Sequence, residues 1–78
     1  MAPEAYVLID TEMGAEDDIV KKVREIEGVT SVNRIYGVHD IISKVKAPTV
    51  EGVKSIVEYK IRKLDCCRSA LTMFIVEK

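Results

Sequence analysis

Cysteine is scarce in this chain. There are two, Cys66 and Cys67, and they are neighbours. Adjacent residues close no useful loop, so a bridge between them stabilises little and a disulfide scaffold is excluded. Histidine is rarer, with His39 alone. A zinc site needs about four ligands at suitable spacing, so no metal and no cofactor are expected. An excess of one charge is missing too: 12 basic against 13 acidic residues leave a formal charge of −1. No basic stretch stands out, which argues against a nucleic-acid surface. No apolar run approaches ~18 residues, so no membrane span is expected. Met1-Ala2-Pro3-Glu4 does not have the charged-then-apolar layout of a signal peptide. A cytoplasmic protein with reduced thiols is the expectation.

What is present fits one domain of 78 residues. A core this small buries only ~60–65% of the unfolded surface, so a lone monomer is marginal. Disulfides, a metal or self-association usually make up the difference. With the first two set aside, self-association remains. The charged fraction, 32%, is mixed in sign and suits a soluble surface.

In chain order, Ala5-Tyr6-Val7-Leu8-Ile9 is rich in β-branched and aromatic residues and reads as a strand. Glu16, Asp17 and Asp18 put negative charge where a helix begins. Ile19, Val20, Val23 and Ile26 follow at helical spacing, and Gly28 is placed as the residue that ends the helix. Ser31 to Tyr36 and Asp40 to Lys46 read as an antiparallel hairpin. Thr49 is a helix N-cap, and Val50, Val53, Ile56, Val57, Ile61 and Leu64 trace a second apolar stripe. Tyr59 is read as packing within it. The last strand runs from about Arg68 to Val76. Leu71, Met73 and Ile75 share one face, and Ala70, Thr72, Phe74 and Val76 the other. Strand, helix, strand, strand, helix, strand is the βαββαβ order of a ferredoxin-like fold: a four-stranded antiparallel sheet with two helices on one face.

The sheet face opposite the helices should be polar at every other position if water covers it. It is not. Tyr6 and Leu8 oppose Val7 and Ile9 in the first strand, both faces of the last strand are apolar, and an open face exposing Leu8, Phe74, Val76 and their neighbours is too large an apolar patch for an ordinary monomer. Burying each such side chain is worth ~1.5–3 kcal/mol, a large fraction of a small domain's stability. The open face is therefore expected to meet a second subunit, sheet on sheet, in a two-fold dimer of the α/β-barrel type.

Between the middle strands lies Tyr36-Gly37-Val38-His39-Asp40. Gly37 permits positive φ in a tight connection, and the Asp40 carboxylate can bind backbone N–H groups of the turn. The same loop offers donors and an acceptor to a small charged ligand.

Four segments carry a resemblance: Tyr6-Val7-Leu8-Ile9, the helix end Ile26-Glu27-Gly28-Val29, Val32 to Ile42 with its Gly-x-x-Asp, and Arg68-Ser69-Ala70-Leu71-Thr72-Met73-Phe74-Ile75-Val76. In this order the chain, from about Ala5 to Lys78, resembles the effector-binding (RAM) domain of the Lrp/AsnC feast/famine transcription regulators. The resemblance implies a single effector-binding domain over 1–78 without the family's helix-turn-helix. It also implies sheet-packed dimers that assemble into octamers or similar rings, an amino-acid effector bound between dimers, and co-assembly with full-length relatives. Carried over by position, the candidate ligand residues are Gly37, His39, Asp40 and Thr72, with Tyr36 and Ser69 as neighbours. Ala70 departs from the family's usual hydroxyl, which keeps a ligand-free oligomerisation module as an alternative. A small dimeric α/β-barrel enzyme is the third reading. It wants a catalytic base or haem ligand inside one barrel, and His39 in a loop does not supply it, so no enzyme is expected.

Overall fold

The alternation of buried and exposed residues along the first strand sets the frame. In the computed structural model, which describes residues 2–76, β1 (Glu4–Thr11) buries Ala5, Val7, Ile9 and Thr11 and turns Tyr6, Leu8 and Asp10 to the other side. The chain continues through α1 (Glu16–Arg24), β2 (Val29–Arg34), β3 (Ile41–Lys46), α2 (Val50–Ile56) and β4 (Cys67–Phe74). The strands form one sheet in the order β2-β3-β1-β4, every neighbouring pair antiparallel. This is the ferredoxin-like arrangement, with β1 and β3 inside and β2 and β4 at the edges. No helix among the described residues is long and apolar enough to cross a membrane.

The core lies between sheet and helices. Val7, Ile9, Ile41 and Val45 meet Ile19 and Val23 of α1 and Val53 of α2. Ser43 is the one buried polar residue in β3, and its hydroxyl donates to the Val7 carbonyl at 3.4 Å. That bond removes the cost of an unpaired hydroxyl in an apolar layer.

α1 opens with Glu16, Asp17 and Asp18 in its first turn, as the charge pattern predicts. Asp17 also reaches Arg34 at 3.0 Å and ties the helix start to the end of β2. The helix stops at Arg24, earlier than Gly28 suggests, with Glu25 as its cap. Gly28 serves the next turn instead. Its φ is +99°, and a Cβ there would stand 2.6 Å from Ile56 Cδ1 and 3.1 Å from the Lys46 carbonyl oxygen. Only glycine allows the chain to enter β2 this close to α2.

α2 begins where the Thr49 hydroxyl accepts the Gly52 N–H at 3.0 Å. It does not run on as an α-helix to Leu64. From Val57 to Ile61 it widens into a π-helical turn, closed by Arg62 N–H donating to the Val57 carbonyl at 2.9 Å. Val57 and Ile61 stay buried, whereas Tyr59, on the opposite side, is 66% exposed rather than packed.

Several strand limits differ from the sequence reading: β1 extends past Ala5 and Ile9, and β2 starts at Val29. β2 ends at Arg34, leaving Ile35 and Tyr36 to the loop; β3 starts at Ile41; β4 ends at Phe74. The faces of β4 separate as the alternation predicts, but Phe74 belongs to the covered face and packs against the core. The face left open carries Tyr6, Leu8, Ile42, Leu71, Met73 and Ile75, paired Tyr6 to Met73 and Leu8 to both Leu71 and Ile42. Val76 is exposed beyond the strand.

Candidate functional site

The loop between β2 and β3 is pinned at its base, where Ile35 N–H donates to the Asp40 carbonyl at 2.9 Å. Gly37 sits at φ +137° with open space around it. Tyr36 and Val38 point into solvent. At the C-terminal end of the loop, Asp40 turns away from its own turn and toward β1. Its N–H donates to the Ile9 carbonyl at 3.1 Å, and its Oδ2 accepts the Thr11 N–H at 2.9 Å. The Asp40 carboxylate thus stitches loop to sheet rather than folding the loop on itself.

One residue outside the sequence-based set organises this end of the sheet. Asp10 accepts the Ser69 hydroxyl at 2.7 Å through Oδ2 and lies 3.0 Å from His39 Nδ1 through Oδ1. The Ser69 hydrogen bond, and after it the bond and charge of His39, hold the Asp10 carboxyl below its ordinary value of 3.8, against the opposing effect of burial. Strand register explains how Ser69 arrives there. Asp10 stands opposite Ser69 and Thr11 opposite Cys67, so Arg68 is an extra residue in β4, a β-bulge.

Serine, histidine and aspartate within hydrogen-bond reach invite comparison with a catalytic triad. The order here is different. The carboxylate stands in the middle, so the Ser69 hydroxyl donates to Asp10 and not to an imidazole. In that triad the serine hydroxyl bonds to the histidine, which takes its proton, and the carboxylate stands behind the histidine. This arrangement orients side chains and does not activate Ser69.

Beside the cluster is an open recess of about 400 Å³ lined by Asp10, Thr11, Val38, Asp40, Arg68 and Ser69. Of the sequence-derived candidates, Asp40 and Ser69 line it, and His39 joins it through Asp10. Gly37 and Tyr36 belong to the loop above. Thr72 is set apart: it lies on the helix side of β4, in a groove of about 420 Å³ beside Val57, Tyr59 and Arg62. Ala70 likewise faces the core, opposite Ile9, so its missing hydroxyl bears on packing and not on the recess. Asp10, Thr11 and Arg68 were not singled out from sequence. Asp10 is two residues past Leu8 and so on the same face, but only the pairing with β4 shows what it meets. The Cys66 and Cys67 thiols lie next to this end of the sheet, and burial pushes Cys67 up from its ordinary value.

Comparison with known proteins adds three findings. A family model described as the Lrp/AsnC ligand binding domain matches residues 4–78. No protein of curated function matches significantly. Solved structures do. FFRP-DM1 is 27% identical, with 95% of this chain and 99% of that one covered and a TM-score of 0.90. The hypothetical protein PHS023 from Pyrococcus horikoshii is 26% identical, with 97% and 92% covered and a TM-score of 0.88. The Neisseria meningitidis transcriptional regulator NMB0573, solved as its L-Met complex, is 15% identical and shares the fold, with 97% of this chain and 51% of that one covered and a TM-score of 0.87.

Proposed function

The chain belongs to the Lrp/AsnC family through its ligand-binding domain, and from that premise we propose that it senses a free amino acid at the recess beside the central loop and couples binding to self-assembly. A ligand-sensing regulatory module is what the family supplies.

The observation that carries the reading is the chemistry of the recess. A zwitterion needs an acceptor for its ammonium and a donor for its carboxylate, in a volume of ~300–1,000 Å³. The recess has Asp40 with Oδ1 uncommitted to Thr11, the Arg68 guanidinium, and about 400 Å³. It opens on one side, and a second copy that closes it would make binding and assembly mutually favourable. The relative crystallised with L-Met supports an amino acid as the ligand class. Dimers would form through the apolar open face, and rings through the loops. Co-assembly with longer relatives that carry the same domain would give a regulatory output, and a cytoplasmic setting goes with that role.

Titration of the twenty amino acids by calorimetry, paired with sedimentation, tests the proposal. We expect at least one to bind, to raise the assembled fraction, and to bind at least tenfold more weakly to Asp40→Asn, which keeps an oxygen for the Thr11 N–H but removes the charge, about the effect of one charge-assisted bond. Indifference to all twenty leaves the ligand-free oligomerisation module as the surviving reading.

A further inference from the structure

β1 ends on two consecutive residues that grip the same loop in different ways. Thr11 gives its backbone N–H to Asp40, and Asp10 gives its carboxylate to His39. The other Asp10 oxygen takes the hydroxyl of Ser69 from the neighbouring strand. One side chain thus joins β1, the loop and β4. An ionised carboxylate only accepts, so the hydrogen on His39 lies on Nδ1 and the ring plane is set by Asp10. His39 Nε2 then has no protein partner among the described residues. Ser69 is oriented by the same logic, its hydrogen spent on Asp10.

The bulge at Arg68 is what makes this possible. With Thr11 held opposite Cys67, a regular strand would set Arg68 against Asp10 and send Ser69 to the helix side. The extra residue returns Ser69 to the open face and leaves Arg68 at the rim of the recess. Bulges commonly re-aim side chains next to functional sites. The charged and titratable groups around Asp10 are His39, Arg68, the Asp40 carboxylate across the recess and, through the strand pair, Cys67.

We propose that Asp10 is the positioning residue of the central loop: its two oxygens, on His39 and Ser69, hold the His39–Asp40 wall of the recess in place before any ligand arrives. This rests on the reading of that recess as the ligand site, since the loop it orders is the loop assigned there. Preordering matters because a loop that must be frozen on binding subtracts that cost from affinity.

The single histidine makes the test direct, since the imidazole gives one spin system. Nitrogen-15 NMR of the full chain should show the neutral ring as the Nδ1–H tautomer. Asp10→Ala should release that preference and speed amide exchange at Ile35 and Asp40, the loop N–H groups bonded to the Asp40 and Ile9 carbonyls, about tenfold or more, with the amides paired along β1 and β3 changed much less. Asp10→Asn should rescue both readouts, because its amide oxygen still accepts from Nδ1–H. An Nε2–H ring in the wild-type chain overturns the proposal without any variant. So does an Asp10→Ala protein whose exchange rises equally across the sheet, the mark of a merely structural role. Titration of the twenty amino acids into the wild-type chain separates the two claims: failure of all of them to bind, with the tautomer and exchange results as expected, sinks the ligand reading and leaves Asp10 as the residue that orders the loop.

Discussion

Asp10 also fixes a sign for acid behaviour. Its folded carboxyl is held below 3.8, first by the Ser69 hydroxyl and then by His39. A depressed carboxyl contributes stability above its unfolded value, and that contribution is lost as pH falls through the folded value. Urea midpoints of the wild-type chain minus those of Asp10→Asn should therefore shrink as pH falls below about 4. A difference that grows below about pH 4 contradicts the hydrogen bonds assigned here. Two glycines make a second comparison. Gly37→Ala meets open space, so its cost is backbone strain that the exposed loop can relax, about 1 kcal/mol or less. Gly28→Ala meets the Lys46 carbonyl and Ile56 as well, at φ +99°, and should cost about 2–3 kcal/mol in denaturant unfolding. Equal costs would mean that the approach of β2 to α2 tolerates a methyl group. Cys67, pushed up by burial, holds little thiolate at neutral pH, which suits a packing role and not a reactive one.

Elements were legible in sequence where a single local rule decides them. β1 and β3 alternate because one face is buried, and α1 starts at three carboxylates. Thr49 is visible as an N-cap in the sequence and acts as one, so Thr49→Ala should cost about 1 kcal/mol, read from thermal or urea unfolding. The misses are places where a distant partner decides. Ile35 and Tyr36 have strand-forming side chains, yet the Ile35–Asp40 closure ends β2 before them. Alternation divides β4 into two faces but does not say which one meets the helices; the pairing of Ala70 with Ile9 does, and it puts Phe74 inside and Leu71 outside. The π-helical turn leaves the same apolar spacing, Val53, Val57, Ile61, that an α-helix would. The candidate site was half legible for the same reason. Gly37, His39 and Asp40 announce a loop by their own chemistry. Asp10 and Arg68 gain their roles from a bulge, a property of two strands together.

For the whole molecule, the open face decides whether the chain stands alone. Leu71 is 51% exposed and Met73 42%, and both lie beside Tyr6 and Leu8 on β1. Polar contacts flank this stripe: Lys44 Nζ sits 3.7 Å from Glu4 and 5.7 Å above the Tyr6 ring, at one border, and the Asp10–Ser69 bond closes one end. Packing two such sheets about 10 Å apart would remove the apolar stripe from water and leave its charged border at the rim. Leu71→Glu separates the alternatives. Its side chain is solvent-exposed in the single chain, so a carboxylate there should leave the fold intact; in a sheet-on-sheet dimer it would bury an unpaired charge. The wild-type chain should then sediment as an oligomer at low micromolar concentration and unfold at a temperature that rises with protein concentration, while Leu71→Glu sediments as one folded chain with a concentration-independent midpoint. A wild-type protein that is a stable monomer at that concentration removes the dimer, and with it the closed side of the recess on which coupled binding and assembly depend.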